Sequence, residues 1–148
     1  MATKSITELA LELGRAMTEM RNYMRQFIQA KIKESGINLT FEMLEIMACL
    51  WNKDGINQQE LADITIKDKS SMTYLVDNLV KRNMVTRMPD ENDRRNNLIF
   101  LTKEGKLLQK KLYPWLMEMY EKATVDVNIS DIQSSLLLIK KMIGNMKD

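Results

Sequence analysis

The sequence predicts a mainly α-helical fold with one small β-hairpin. The chain of 148 residues contains only five Gly and two Pro, and most of it repeats apolar residues at helical spacing. A single polar, turn-rich segment separates two short runs rich in β-branched and aromatic residues. Apolar residues make up 45% of the chain and charged residues 28%, which is typical of a globular protein. This length favours a single domain over 1–148.

The first predicted helix runs from Ser5 to about Ser35. Its apolar residues recur every three or four positions, and Gly36 suits the left-handed residue that ends a helix. About 30 residues at ~1.5 Å each give a helix about 45 Å long, which exceeds the width of a compact monomer of this size. We therefore expect a second subunit to bury its apolar stripe.

Two short helices are predicted next. Thr40 is a good N-cap for a helix over 41–51. After a turn at an Asp-Gly pair, Asn57 opens another helix, and Glu60 lies three residues on, with the spacing of a capping box.

A fourth helix begins after Asp68 as its N-cap and runs to about Arg82. Asn83 suits the left-handed residue at its end, as the second choice after glycine. The apolar side of this helix consists of Met72, Leu75, Val76, Leu79 and Val80.

Two short strands, 85–88 and 98–101, flank the turn-rich segment 89–97. This pattern predicts a hairpin with a long charged tip.

Two long helices are predicted at the C-terminal end. Thr102 caps the first, which runs to about Val125, and Pro114 is expected to kink or break it. Ser130 and Gln133 have the spacing of a capping box before the second. Its apolar residues form a heptad-like seam suited to a partner helix: Ile132, Leu136, Ile139, Ile143 and Met146.

The third and fourth helices, short and joined by a tight turn, predict a helix-turn-helix. The second helix of that motif enters the DNA major groove, where hydroxyls and amides read base edges and lysines contact phosphates. A polar helix face is also common on ordinary solvated helices. The candidate DNA-contacting residues of this segment are Lys67, Lys69, Ser70, Ser71, Thr73, Tyr74, Asn78 and Lys81.

The hairpin tip carries Arg94 and Arg95. An exposed arginine pair at the end of a β-ribbon suits insertion into a narrow minor groove. Asp93 is expected to orient the Arg95 guanidinium through a charge-assisted contact. The alternative is a solvated loop with local ion pairs.

These segments resemble the winged helix-turn-helix core of the multiple-antibiotic-resistance regulator (MarR) family. The resemblance covers 38–105 and is most specific at Asp93-Arg94-Arg95 with the following 98–105. Residues 59–62 match the first helix of the family's motif, and 68–79 match its recognition helix.

The resemblance implies a mainly α fold with a β-hairpin wing, a DNA-binding lobe over 38–105, and dimerisation helices over 1–36 and 106–148. Two positions depart from the family pattern. Tyr74 stands where the family commonly has an arginine, and Asn83 replaces the usual glycine.

By the same resemblance, the protein is a homodimeric, sequence-specific DNA-binding transcription regulator of a pseudo-palindromic operator, usually a repressor. Arg95 is then expected in the minor groove, supported by Asp93. Members often bind small aromatic or lipophilic effectors, and flexible methionines suit such a pocket. The candidates are Met17, Met20, Met24 and Met47, although methionine at helical spacing is more often core and no ligand is assigned.

The net charge of only +2 is too small to indicate nucleic-acid binding by itself. Between Lys67 and Arg95 there are seven basic and five acidic side chains. Asp68 is expected to act as an N-cap and Asp93 as an arginine partner, which leaves an excess that a dimer doubles. The near-neutral charge keeps a second hypothesis open, a dimeric helical protein-interaction module that retains the winged fold without binding DNA.

Catalysis has little support in the sequence. There is no histidine, the commonest general base and metal ligand, and Cys49 is the single cysteine, so no zinc cluster is expected. No glycine-rich phosphate loop is present. We expect no enzyme activity, cofactor or metal, a structural role for Cys49, and no membrane span or signal peptide, hence a cytoplasmic protein.

Overall fold

The structure, a computed structural model, describes residues 2–147. A mainly helical chain with a small antiparallel sheet confirms the predicted fold class. In chain order the elements are α1 (Ile6–Ser35), α2 (Phe41–Asn52), β1 (Ile56–Asn57), α3 (Gln58–Thr65), α4 (Lys69–Lys81), β2 (Val85–Pro89), β3 (Asn97–Leu101), α5 (Lys103–Ala123) and α6 (Ile129–Met146).

Most helix ends lie where the sequence predicts them, because the residues that end or begin a helix are local signals. Gly36 ends α1 with φ 70°, and Asn83 follows α4 with φ 59°. The Thr40 side chain accepts the backbone N–H of Met43 at 3.2 Å. Thr102 caps α5 by accepting the N–H of Gly105 at 3.0 Å.

The sheet has one strand more than the sequence predicts. β2 and β3 form the expected hairpin, and β1 pairs with the other edge of β3, with Ile56 opposite Ile99. β1 has only two residues, which are too few to show the alternating apolar pattern that predicts a strand from sequence. Asp54, two residues before β1, helps to hold β1 beside β3, since its Oδ1 accepts the N–H of Leu101 at 2.9 Å.

The apolar core lies between α2, α3, α4 and the sheet. Val80 was predicted inward but is 39% exposed, because the buried stripe of α4 ends one residue earlier. The side chains with at most 1% exposure are Ile46, Met47, Leu50, Leu61, Met72, Val76, Leu79, Val85 and Ile99. Burying each of these side chains stabilises the fold by about 1.5–3 kcal/mol relative to exposure. Three of them, Met72, Val76 and Leu79, belong to α4, so this helix packs against the core through one face only.

The predicted capping box at Ser130 and Gln133 is wrong. α6 begins at Ile129, so Ser130 already lies in its first turn. Asn128 is the N-cap, with extended backbone (φ −79°, ψ 141°) and no side-chain capping bond. Its carbonyl starts the helix by accepting the N–H of Asp131 at 3.1 Å.

α5 continues through Pro114, so the proline does not break the helix. It still removes one backbone donor from the helical ladder. The chain divides into two compact units between Trp115 and Leu116, one residue after this position. The assignment of 1–148 to a single domain stays a prediction.

Candidate nucleic-acid interface

The turn between α3 and α4 brings these helices together as a helix-turn-helix. α3 ends at Thr65, Ile66 takes the left-handed conformation, and Asp68 caps α4. α4 buries its apolar side, while Lys69, Ser70, Ser71, Tyr74 and Lys81 are exposed. The exposed face is therefore polar and basic, as the sequence predicted.

Asp68 fixes the first turn of α4. Its Oδ1 accepts the N–H of Ser71 at 2.7 Å and the hydroxyl of Ser70 at 2.9 Å. The bond from the Ser71 N–H is the main reason that the pKa of Asp68 is lowered, with the serine hydroxyls contributing further. The carboxylate therefore stays charged and holds both serines at the exposed start of the helix.

Ile66 carries backbone strain that sequence analysis did not predict. Its φ and ψ are 52° and 54°, where a β-branched residue is strongly disfavoured, and its side chain is 93% exposed. We expect Ile66→Asn to stabilise the fold by about 1 kcal/mol, because asparagine tolerates this conformation and no packing is lost. Thermal unfolding measures this as a rise of about 2–4 °C in Tm.

Ile64→Asn is the matched control, since Ile64 is also exposed, at 54%, but lies inside α3. It should give no gain. An equal rise for both variants would show that lost surface hydrophobicity, and not backbone strain, sets the effect.

Thr73 and Asn78 were predicted to face DNA, and both are engaged within the lobe. The Thr73 hydroxyl accepts Nε2 of Gln58 at 3.0 Å and donates to the carbonyl of Lys69 at 2.9 Å. Asn78 donates to the carbonyl of Tyr74 at 2.8 Å and accepts Nη1 of Arg82 at 3.0 Å. Each side chain would have to exchange an internal hydrogen bond for one to a base.

Lys67 differs from the other predicted basic residues because it is held against α2. Its Nζ lies 3.7 Å from Glu45, and both side chains are less than a fifth exposed. The other oxygen of Glu45 accepts Nη2 of Arg21 on α1 at 2.7 Å. Lys67 thus joins α1, α2 and the helix-turn-helix turn, whereas Lys69 and Lys81 are exposed on α4.

The wing tip exposes Arg94 and Arg95, and Asp93 supports it differently from the prediction. Asp93 Oδ1 accepts the backbone N–H of Arg95 at 3.1 Å, and Oδ2 accepts Nδ2 of Asn96 at 3.3 Å. Within residues 2–147, no ion pair joins Asp93 to the Arg95 guanidinium. The reason is local geometry, since an Asp side chain readily accepts the backbone N–H two residues on.

Gln58 and Arg87 are polar residues of this surface that sequence analysis did not single out as site residues. Together with Lys69, Thr73, Asp77 and Arg95, they line an open polar cleft of about 320 Å³ between α4 and the wing. The two residues are 29 positions apart, and no short motif joins them.

The candidate methionines do not share one environment. Met17 and Met20 on α1 are 45% and 50% exposed, whereas Met47 is fully buried in the core. Met24 is half-buried. Their assignment to an effector pocket stays a prediction.

Cys49 is half-buried on α2. Burial first, and then the negative charge of Glu45, raise the pKa of its thiol. The thiolate is the reactive form, so we expect iodoacetamide at pH 8 to alkylate native Cys49 more slowly than the urea-unfolded chain, by about tenfold for each unit of raised pKa.

Glu45→Gln removes the negative charge that contributes to the raised pKa of Cys49 and should therefore speed alkylation. Mass spectrometry monitors the reaction. An unfolded variant would also react faster, so native circular dichroism is the control. Native alkylation as fast as in urea would contradict the structural role of Cys49.

Among residues 2–147, no group of three or more His, Cys, Asp or Glu side chains could hold a metal ion. No helix in the same range is long and apolar enough to cross a membrane.

A family model described as "MarR family" matches residues 39–96, which include α2, the helix-turn-helix and most of the wing. The crystal structure of a MarR transcriptional regulator from Methanosarcina mazei Go1 is 28% identical, covers 90% of this chain and 94% of that one, and superposes with a TM-score of 0.79. The chain is therefore similar to MarR regulators, in sequence over residues 39–96 and in fold over 90% of its length.

Two curated proteins similar to this chain are transcriptional regulators. The transcriptional activatory protein BadR of Rhodopseudomonas palustris is 28% identical over 64% of the chain and 54% of its own length. The HTH-type transcriptional repressor NicR of Pseudomonas putida is 30% identical over 60% of the chain and 56% of its own length. The chain therefore spans little more than half the length of these two relatives.

Proposed function

We propose that this protein is a DNA-binding transcriptional regulator that acts as a homodimer on a pseudo-palindromic operator. One observation carries the proposal. The same lobe exposes a polar and basic face on α4 and an arginine pair at the tip of the neighbouring hairpin. A recognition helix and a wing of this kind suit a major groove and an adjacent minor groove.

In the proposed complex, α4 lies in the major groove. Ser70, Ser71 and Tyr74 are exposed there and can donate or accept hydrogen bonds at base edges, with Tyr74 66% exposed. Lys69 and Lys81 are placed to contact phosphates. Thr73, Asn78 and Lys67 remain candidates, but each is held by a neighbour, and the Ser70 hydroxyl likewise donates to Asp68. We therefore assign the main base-reading role to Ser71 and Tyr74.

The homodimer is supported by apolar surface that the single chain leaves exposed. In α6 this surface includes Ile132, Leu136 and Ile143, each about half exposed. In α1, Leu9, Met17 and Met20 are exposed to a similar degree. Exposed apolar surface of this extent marks an interaction site, and the heptad-like spacing in α6 suits a second copy of the same helix.

We also propose that the protein represses transcription and that a small aromatic or lipophilic ligand releases it from DNA. The two curated relatives are an activator and a repressor, so the sign of regulation needs its own test in a promoter-reporter assay. For an effector, Met17, Met20 and Met24 offer polarisable side chains on α1, which a ligand would have to share with the proposed dimer interface. A ligand releases DNA only if it binds the dimer better in a non-binding geometry.

Binding of this protein to duplexes enriched from genomic fragments tests the proposal directly. Fluorescence anisotropy at two salt concentrations should give an affinity that falls steeply with salt, because each neutralised phosphate adds about −0.9 to the slope. A chain with the alternative role, protein interaction without DNA, would enrich no sequence.

Arg95→Ala tests the wing. Loss of a minor-groove arginine from both wings should weaken binding by about tenfold or more and flatten the salt slope. Arg15→Ala, at an exposed position of α1, controls for loss of positive charge outside the interface. Unchanged affinity of Arg95→Ala would contradict the wing assignment.

A further inference from the structure

Arg87 of β2 reaches from the wing to the recognition helix. Its Nη1 pairs with Oδ1 of Asp77 at 2.5 Å, and its Nη2 donates to the carbonyl of Thr73 at 3.3 Å. Both partners belong to α4. The Arg87 side chain is 27% exposed, so part of this contact is shielded from water and strengthened accordingly.

Gln58, the first residue of α3, closes the cluster. Its Oε1 accepts Nε of Arg87 at 3.2 Å, and its Nε2 donates to the Thr73 hydroxyl at 3.0 Å. Gln58, Thr73, Asp77 and Arg87 thus form one connected network across α3, α4 and β2, which we name the Arg87 clamp.

The clamp lies where it can fix the angle between helix and wing. Arg87 is directly opposite Ile99 in the hairpin, and the ladder continues to Pro89 opposite Asn97. The strand between Arg87 and the tip is therefore paired and stiff. The cleft between α4 and the wing is lined by clamp residues and, at its outer end, by Arg95.

We propose that Arg87 is a positioning residue for DNA recognition. It holds the wing at the angle at which Arg95 and α4 reach the same duplex. The proposal rests on the function proposed above. It also gives Thr73 a place in the clamp, since its hydroxyl accepts Nε2 of Gln58.

A substitution at Asp77 distinguishes a positioning role of Arg87 from a simple charge effect on DNA binding. It is an acidic side chain, about half exposed, on the helix proposed to enter the major groove. Removing a negative charge there should tighten DNA binding if long-range electrostatics alone decide affinity. If the clamp positions the wing, the same change should weaken binding. The two accounts therefore predict changes in DNA affinity of opposite sign.

The experiment measures the affinity of full-length variants for an enriched duplex by fluorescence anisotropy. Asp77→Ala is expected to bind about threefold to tenfold more weakly, the size of effect typical of coupled side chains. The matched control is Glu91→Ala, which removes an exposed acidic residue at the wing tip outside the clamp and should bind equally or more tightly. Gln58→Ala provides a second clamp variant if Asp77→Ala fails to fold.

A double-mutant cycle tests the route through the wing. Arg87→Met combined with Arg95→Ala should bind no more weakly than Arg95→Ala alone, because the arginine that Arg87 positions for the minor groove is then absent. Losses that multiply would show that Arg87 contacts phosphate itself and would overturn the proposal. Equal or tighter binding by both Asp77→Ala and Gln58→Ala would also overturn it. Failure of the wild-type protein to bind any duplex would refute the proposed function, and the clamp's role with it.

Discussion

A Leu136→Glu variant is expected to be monomeric and to lose about 100-fold to 10,000-fold in affinity for a duplex with two half-sites, the range of avidity that linked binding provides. Leu136 lies in the middle of the apolar seam of α6 and is 53% exposed in the single chain. In the proposed dimer, a glutamate there would bury a charge without a partner, which is strongly unfavourable.

Sedimentation velocity and anisotropy on the same samples check this prediction. Ser134→Glu is the control, because Ser134 is exposed on the same helix and lies opposite the seam in the heptad spacing. It adds the same charge and should leave the dimer intact. A dimeric Leu136→Glu protein with unchanged DNA affinity would exclude α6 from the dimer interface.

Gly105→Ala is expected to destabilise the fold by about 3 kcal/mol or more, the upper range for overpacking a buried site. A Cβ at this position would lie 2.2 Å from the backbone oxygen of Met84 and 3.3 Å from a methyl of Leu101. The backbone there cannot yield easily. The Met84 oxygen also accepts the Thr102 N–H at 3.0 Å, and Trp51 donates to the Gly105 carbonyl at 2.9 Å.

Chemical denaturation of Gly105→Ala and Gly14→Ala side by side measures the effect. Gly14 lies inside α1, and a Cβ at that position would have nothing within 4 Å, so alanine there should stabilise by about 0.5–1 kcal/mol through helix propensity. The two changes are chemically identical and should have opposite signs. A stable Gly105→Ala protein would mean that the start of α5 is not packed against the Met84 backbone as described.

Local signals explain why much of the fold could be predicted from the sequence. Thr40, Asp68 and Thr102 act as caps through bonds to residues three positions away, and Gly36 and Asn83 end helices by taking a conformation that their own side chains permit. The exposed serines of α4 and the wing arginines also follow from patterns within short segments. The resemblance to the MarR family rests on the same segments.

Features that depend on distant residues could not be predicted in this way. β1 exists only because β3 offers a free edge far along the chain, and the partners of Arg87 come from two other elements. Asp93 shows a different reason. Its carboxylate had both a guanidinium and a backbone N–H within reach, and spacing alone did not show that the backbone would be its partner.

Footprinting of the protein on a duplex enriched from a random pool tests the central claim most directly, with the number of chains per duplex measured on the same complex. The account predicts two chains per duplex, two major-groove half-sites about 10 base pairs apart, and minor-groove protection beside them that disappears in Arg95→Ala. A single chain per duplex, or protection without two such half-sites, would contradict it.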